Sequence, residues 1–197
     1  CGLRQGSVTR KTAETDITVH LNLDGTGQGE IHTGIGFFDH MLAALARHSG
    51  FDLVVRCHGD LEVDGHHTVE DVGIALGKAF RQAVGDGSGI SRFGEATVPM
   101  DEALVQAVLD ISGRPYLAFT IRPIAPMIGD YDTQLTLEFF RAFTSHALVT
   151  LHLRQLAGEN DHHIVEAAFK AAARALKCAC QAQGDGAVLS TKGSLLG

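Results

Sequence analysis

His66-His67-Thr68-Val69-Glu70 and His162-His163-Ile164-Val165-Glu166 are one pattern written twice, 96 residues apart. Each copy follows a short turn containing Gly and Asp. Each opens a stretch with apolar residues at helical spacing, Thr68 to Val84 and Ile164 to Gln181. Self-similarity at one long offset marks an internal duplication. The match extends upstream. His40 and His48 stand eight apart on a first helical stretch, read as Phe37 to Arg47 and ended by Gly50. Glu138 and His146 stand eight apart on its counterpart, Thr136 to His146, at an offset of 98.

Strands fill the space between these helices. Ile17 to Leu23 alternates apolar and polar residues, with Glu30 to Thr33 expected as its hairpin partner. Phe51 to Cys57 and Leu61 to Val63 read as a second strand pair. In the second half, Ala103 to Ile111, Tyr116 to Arg122 and Val149 to Leu156 read as strands. The sequence therefore predicts an α+β fold of two pseudo-symmetric halves, about 10–90 and 91–183. Each half is a small, mostly antiparallel sheet covered by two helices. The whole, 1–197, is expected to be a single catalytic domain. A Gly/Ser-rich tail, 184–197, gains order only by packing on something.

Composition narrows the function. The 197 residues carry 16 basic and 23 acidic side chains, a net charge of −7, which argues against a nucleic-acid partner. No apolar run approaches the roughly 18 residues of a membrane span. Cys1 to Lys11 lacks the apolar stretch of a secretory leader, and the missing initial Met suggests a trimmed start. Cys1, Cys57, Cys178 and Cys180 do not form a disulfide framework, so a reducing cytoplasm is expected. Cys178-Ala-Cys180 has no second pair and makes a poor metal site. Histidine is the outlier, with 11 against 2 Tyr and 0 Trp. Imidazole is the commonest transition-metal ligand.

The doubled motif gives those histidines a geometry. On a helix, the first His and the Glu are four apart and share a face, whereas the second His points about 100° away. One unit thus offers ligands to two sites, and two units related by a twofold axis can share two metals. The expected sites are His40, His67, His162 and Glu166 for one metal, and His66, Glu70, Glu138 and His163 for the other. His146 stands as the alternative to Glu138. Mixed imidazole and carboxylate ligands without thiolate suit Mn, Fe or Zn with open positions. Arg92, Arg114 and Lys192 sit in Gly/Ser-rich loops of the kind that hold phosphate. His20, His32, His58 and His152 have no assigned role.

Further stretches extend the pattern: Asp24-Gly-Thr-Gly27, Gly36-Phe-Phe-Asp-His-Met41, Gly59-Asp-Leu61, Val98-Pro-Met-Asp-Glu102, Leu109-Asp-Ile-Ser-Gly-Arg-Pro115, Asn160-Asp-His-His163 and Ser190-Thr-Lys-Gly193. With these, the chain resembles the imidazoleglycerol-phosphate dehydratases of histidine biosynthesis nearly end to end. The resemblance implies a lyase that converts D-erythro-imidazole glycerol phosphate to imidazole acetol phosphate and water. It implies two Mn(II) per active site and an imidazolate held between them. It implies a homo-oligomer of 24 subunits with active sites between subunits. It also assigns Glu14 as acid/base, with Glu70 and Glu166 in the catalytic set. Arg92, Arg114, Ser190, Thr191 and Lys192 match its phosphate-binding positions, and His48 a substrate contact. The sequence departs from many members at Glu138, where they carry His. A different di-metal phosphoesterase or hydrolase, and a non-catalytic metal-dependent assembly protein, are the competing readings.

Overall fold

Alternation builds the first sheet. In β2 (Thr15–Asn22), Thr15, Ile17, Val19 and Leu21 are buried, and the residues between them face outward. β4 (Asp52–Gly59) lies antiparallel to β2 and buries Leu53, Val55 and Cys57 on the same face. β1 (Gln5–Lys11) adds to the free side of β2, and β3 (Gly29–His32) adds to β4, giving the order β1-β2-β4-β3. The second sheet repeats this order with β5 (Phe93–Met100), β6 (Ala103–Asp110), β10 (Thr150–Ala157) and β7 (Tyr116–Thr120). In both sheets the strand after the first hairpin is parallel to its neighbour, β3 to β4 and β7 to β10. The computed structural model describes residues 3–184 and 186–195; Cys1 and Gly2, and three tail residues, Asp185, Leu196 and Gly197, lie outside them.

The expected α+β architecture of two like halves is met, with four differences of detail. Glu30 to Thr33 is no hairpin partner of β2, because β3 pairs with β4 instead. Leu61 to Val63 is a turn, closed by the Val63 N–H on the Asp60 carbonyl. β1 and β5 gave no strand signal. Both are outer strands whose side chains are largely exposed, and each carries a glycine where a helix crosses closely. A Cβ on Gly6 would stand 1.9 Å from the Ala79 carbonyl oxygen, and one on Gly94 would stand 1.9 Å from that of Ala175. A short ribbon, β8 (Met127–Ile128) with β9 (Tyr131–Asp132), belongs to the second half alone.

Four helices cover the sheets: α1 (Gly36–Ser49), α2 (His66–Val84), α3 (Leu135–Ala147) and α4 (Asp161–Ala179). Their pairing crosses the halves, with α1 on α4 and α3 on α2. Gly50 ends α1 in the left-handed conformation, as read, and Leu148 does the same for α3. An aromatic knot locks the crossing. Phe38 of α1 meets Phe139 of α3 edge-on at 5.5 Å, and Phe139 stacks on Phe169 of α4 at 5.3 Å. All three are fully buried. Each contributes roughly 2–3 kcal/mol by burial, with about 1 kcal/mol more per favourable ring pair. This packing sets the register in which the N-terminal ends of α1 and α4 meet.

Candidate metal centre and active site

That register brings His40, His162 and Glu166 together. One ligand atom from each lies within 4.8 Å of the others, the one such group of three among the described residues. His40 Nε2 stands 2.7 Å from Glu166 Oε1, and His162 Nε2 stands 3.3 Å from the same oxygen. Glu166 is buried at 4% exposure, which by itself raises a carboxyl pKa. Hydrogen bonds from Lys170, His40 and His162 outweigh that burial and hold it below its ordinary value. Lys170 Nζ donates to Glu166 Oε2 at 2.8 Å. A buried anion with two imidazole nitrogens on one oxygen fits a divalent cation of the Mn, Fe or Zn class.

The equivalent pair in the first half is more open. His66 Nε2 lies 2.9 Å from Glu70 Oε2, as the i,i+4 spacing requires, but both side chains are over 40% exposed. Glu138 does not join them. Its Oε1 accepts from Arg141 Nη1 at 3.3 Å. His146 Nδ1 donates to the Ala142 carbonyl at 2.9 Å, one turn back on its own helix.

The second His of each motif points elsewhere, as the helical geometry demands. His67 Nδ1 is 2.7 Å from Asp60 Oδ2, and its Nε2 is 3.6 Å from Glu14 Oε2. His163 Nδ1 is 2.5 Å from Glu102 Oε1, and its Nε2 is 3.6 Å from Asp101 Oδ2. Hydrogen bonds to Asp60 and Glu102 raise the pKa of these two imidazoles. Within one chain neither joins the His40 cluster. Glu14 sits in the β1–β2 turn, where Thr12 Oγ1 accepts from its N–H and its carbonyl accepts from the Asp60 N–H. His48 lies on α1 two turns beyond His40. Burial first, then Lys170, Arg174 and Arg47, lower its pKa. Asp60, Asp101, Glu102 and Lys170 were given no role by sequence reasoning. They come from turns or from a helix position with no repeat partner, so no spacing marked them.

The basic loop residues converge in a separate cavity of about 600 Å³, lined by Arg92, Ser112, Arg114, Ser190, Thr191 and Lys192. Arg92 has a left-handed backbone, φ +72°, a strained state for a side chain of its size. It is held by a two-pronged pair with Asp110, at 2.7 and 3.2 Å, and by the Leu189 carbonyl. The tail is anchored through Leu195, buried at 4%. Its carbonyl and side chain fill the space beside Gly113 and Gly87, where a Cβ would come within 1.9 and 2.5 Å of them. Among the described residues, no helix is long and apolar enough to cross a membrane.

Comparison with known proteins supplies the family and the fold. Residues 33–176 match the sequence family described as imidazoleglycerol-phosphate dehydratase. A protein of that name from Gluconacetobacter diazotrophicus is 61% identical over 98% of both chains. One from Dinoroseobacter shibae is 56% identical over 98% of this chain and 100% of its own. The crystal structure of the Staphylococcus aureus protein superposes with a TM-score of 0.83 at 37% identity, covering 91% of this chain and 99% of that one. The Pyrococcus furiosus structure gives 0.81 at 40% identity, covering 94% and 99%. The chain belongs to the imidazoleglycerol-phosphate dehydratase family, hydro-lyases of histidine biosynthesis.

Proposed function

We propose that this chain dehydrates D-erythro-imidazole glycerol phosphate to imidazole acetol phosphate at two divalent metal sites, with Mn(II) as the metal. The observation that carries the metal reading is the cluster of His40, His162 and Glu166, joined across the two halves. When bound, the cations would supply Lewis acidity that makes the substrate's imidazole a stronger acid and anchors it. His40, His162 and Glu166 would hold one. His66, Glu70 and Glu138 would hold the other.

Packing supports Glu138 over His146. Gly73 of α2 faces Phe139 and Ala142, and Gly77 faces Phe143, His146 and Ala147, so α2 and α3 run in the same direction. Glu138 therefore belongs to the end of α3 nearest His66 and Glu70. His146 lies beside Gly77, seven residues past Glu70, or about 10 Å further along the helix at 1.5 Å per residue.

The reaction also needs groups that hold phosphate and move protons. Arg92, Arg114, Ser190, Thr191 and Lys192 bind the phosphate, and the Arg114 guanidinium fork suits its oxygens. Glu14 Oε2 takes the proton from the side-chain carbon, beside His67 and open to a ligand. His48, kept neutral, offers an uncharged imidazole contact to substrate. His67 and His163 stand apart from the His40 cluster, and this supports their completing metal sites on neighbouring copies. We therefore place the active sites between subunits of a homo-oligomer, a 24-mer, working in the cytoplasm. The test is direct: metal-free protein is mixed with Mn(II) and imidazole glycerol phosphate and assayed for imidazole acetol phosphate. A protein that binds Mn(II) but yields no product would sink the proposal.

A further inference from the structure

We infer that Asp60 and Glu102 are positioning residues, which fix His67 and His163 with the proton on Nδ1 and Nε2 free to bind metal. The inference rests on the metal reading above. An ionised carboxylate only accepts hydrogen bonds, so the nitrogen facing it must carry hydrogen. In neutral imidazole the other nitrogen then keeps its lone pair. The two halves reach this arrangement by different routes. In the first, the carboxylate comes from the turn after β4, as Asp60. In the second it comes from the β5–β6 turn, as Glu102. The same geometry, built twice from non-equivalent positions, points to a requirement on the imidazole rather than to an inherited contact.

The bonding of Asp60 separates positioning from stability. Its Oδ2 is taken by His67, while its Oδ1 is buried and finds no hydrogen-bond donor among the described residues. A buried acceptor without a donor costs stability. A residue kept for folding would be satisfied, or replaced by an apolar one. The Asp60 backbone is braced independently, its N–H on the Glu14 carbonyl and its carbonyl on the Val63 N–H. The side chain can therefore change without releasing the turn. Glu102 is less separable, because its Oε2 also accepts from the Glu159 N–H at 2.8 Å and holds the entry to α4.

Asp60 is thus the informative position. Metal-free full-length protein, wild type, Asp60→Ala and Asp60→Asn, is titrated with Mn(II), and free Mn(II) is read by electron paramagnetic resonance. Thermal unfolding of each metal-free variant is recorded alongside. Losing an orienting partner of a ligand His costs about 10–100-fold in metal affinity. Asp60→Ala should show that loss at one class of site, with an unfolding temperature equal to or above wild type. Asp60→Asn should recover most of the affinity, because its amide oxygen still accepts from Nδ1–H. Wild-type affinity in Asp60→Ala overturns the inference. So does an equal loss in both variants together with a lowered unfolding temperature, the mark of a structural role. A wild-type protein that binds no Mn(II) overturns the underlying metal reading instead, and the two failures are distinct.

Discussion

His40 and Glu166 sit 126 residues apart in opposite halves, yet the imidazole Nε2 lies 2.7 Å from the buried carboxylate oxygen. The oxygen also faces His162, so one anion organises both imidazoles. Glu166→Gln removes the charge and leaves a poorer ligand. It should lower Mn(II) affinity at this site by about tenfold or more. Equilibrium dialysis against Mn(II) measures it, and unchanged affinity would show that Glu166 is no ligand.

The doubled motif made most of this legible. Helical spacing alone showed which His faces its own Glu, and the offset of 96 predicted two like halves. It did not show that α1 packs on α4 and α3 on α2, because crossing depends on side-chain fit around Phe139, which no periodicity encodes. Nor did it show that, within one chain, His67 and His163 face Asp60 and Glu102. Their partners, Asp60 and Glu102, lie in turns, where no pattern distinguishes a solvated acid from one aimed at an imidazole. The outer strands β1 and β5 escaped notice because exposed strands lack clean alternation. Gly6 and Gly94 also read as breakers there, although in the structure they mark close helix contact.

The proposed role of Glu14 separates catalysis from metal binding. It is more than half exposed and bonds to the fold mainly through its backbone. Glu14→Gln should therefore keep metal content and unfolding temperature while kcat falls by ~10²–10⁴-fold, the usual worth of a general acid or base. A variant that retains wild-type kcat would remove Glu14 from the mechanism.

The proposed second metal site depends on which α3 side chain completes it. Glu138 is placed at the His66 end of the α2–α3 pair, whereas His146 donates to its own helix. Glu138→Ala should lose one class of bound metal, and His146→Ala should keep both. Metal analysis of the two purified variants decides between them, and a larger loss in His146→Ala would reverse the assignment.

His48 carries a pH signature. Burial and the nearby Lys170, Arg174 and Arg47 depress its folded pKa below the ordinary 6.5. Below pH 6.5 the unfolded chain therefore takes up a proton here that the folded chain resists. Linkage then makes the fold lose stability as pH falls through 6.5 toward the depressed value, while above 6.5 His48 contributes no slope. His48→Gln lacks this term. The gap between the urea midpoints of the variant and the parent should move in favour of the variant between pH 7 and pH 5.5. A gap that stays constant with pH would contradict the depressed pKa.

Gly94 tests the close packing that sets the α4 register. Any side chain there would drive its Cβ to 1.9 Å from the Ala175 carbonyl oxygen, a backbone atom that cannot swing aside. Gly94→Ala should cost about 3 kcal/mol, the upper end of ordinary overpacking. Gly6→Ala, facing Ala79 in the same way, should cost a similar amount. Gly184 has open space around it, so Gly184→Ala serves as the control and should change little. Because α4 carries His162 and Glu166, Gly94→Ala should also weaken Mn(II) binding, in proportion to the shift it forces on that helix. Chemical denaturation read alongside Mn(II) titration tests both effects, and full stability in Gly94→Ala would rule out the close contact.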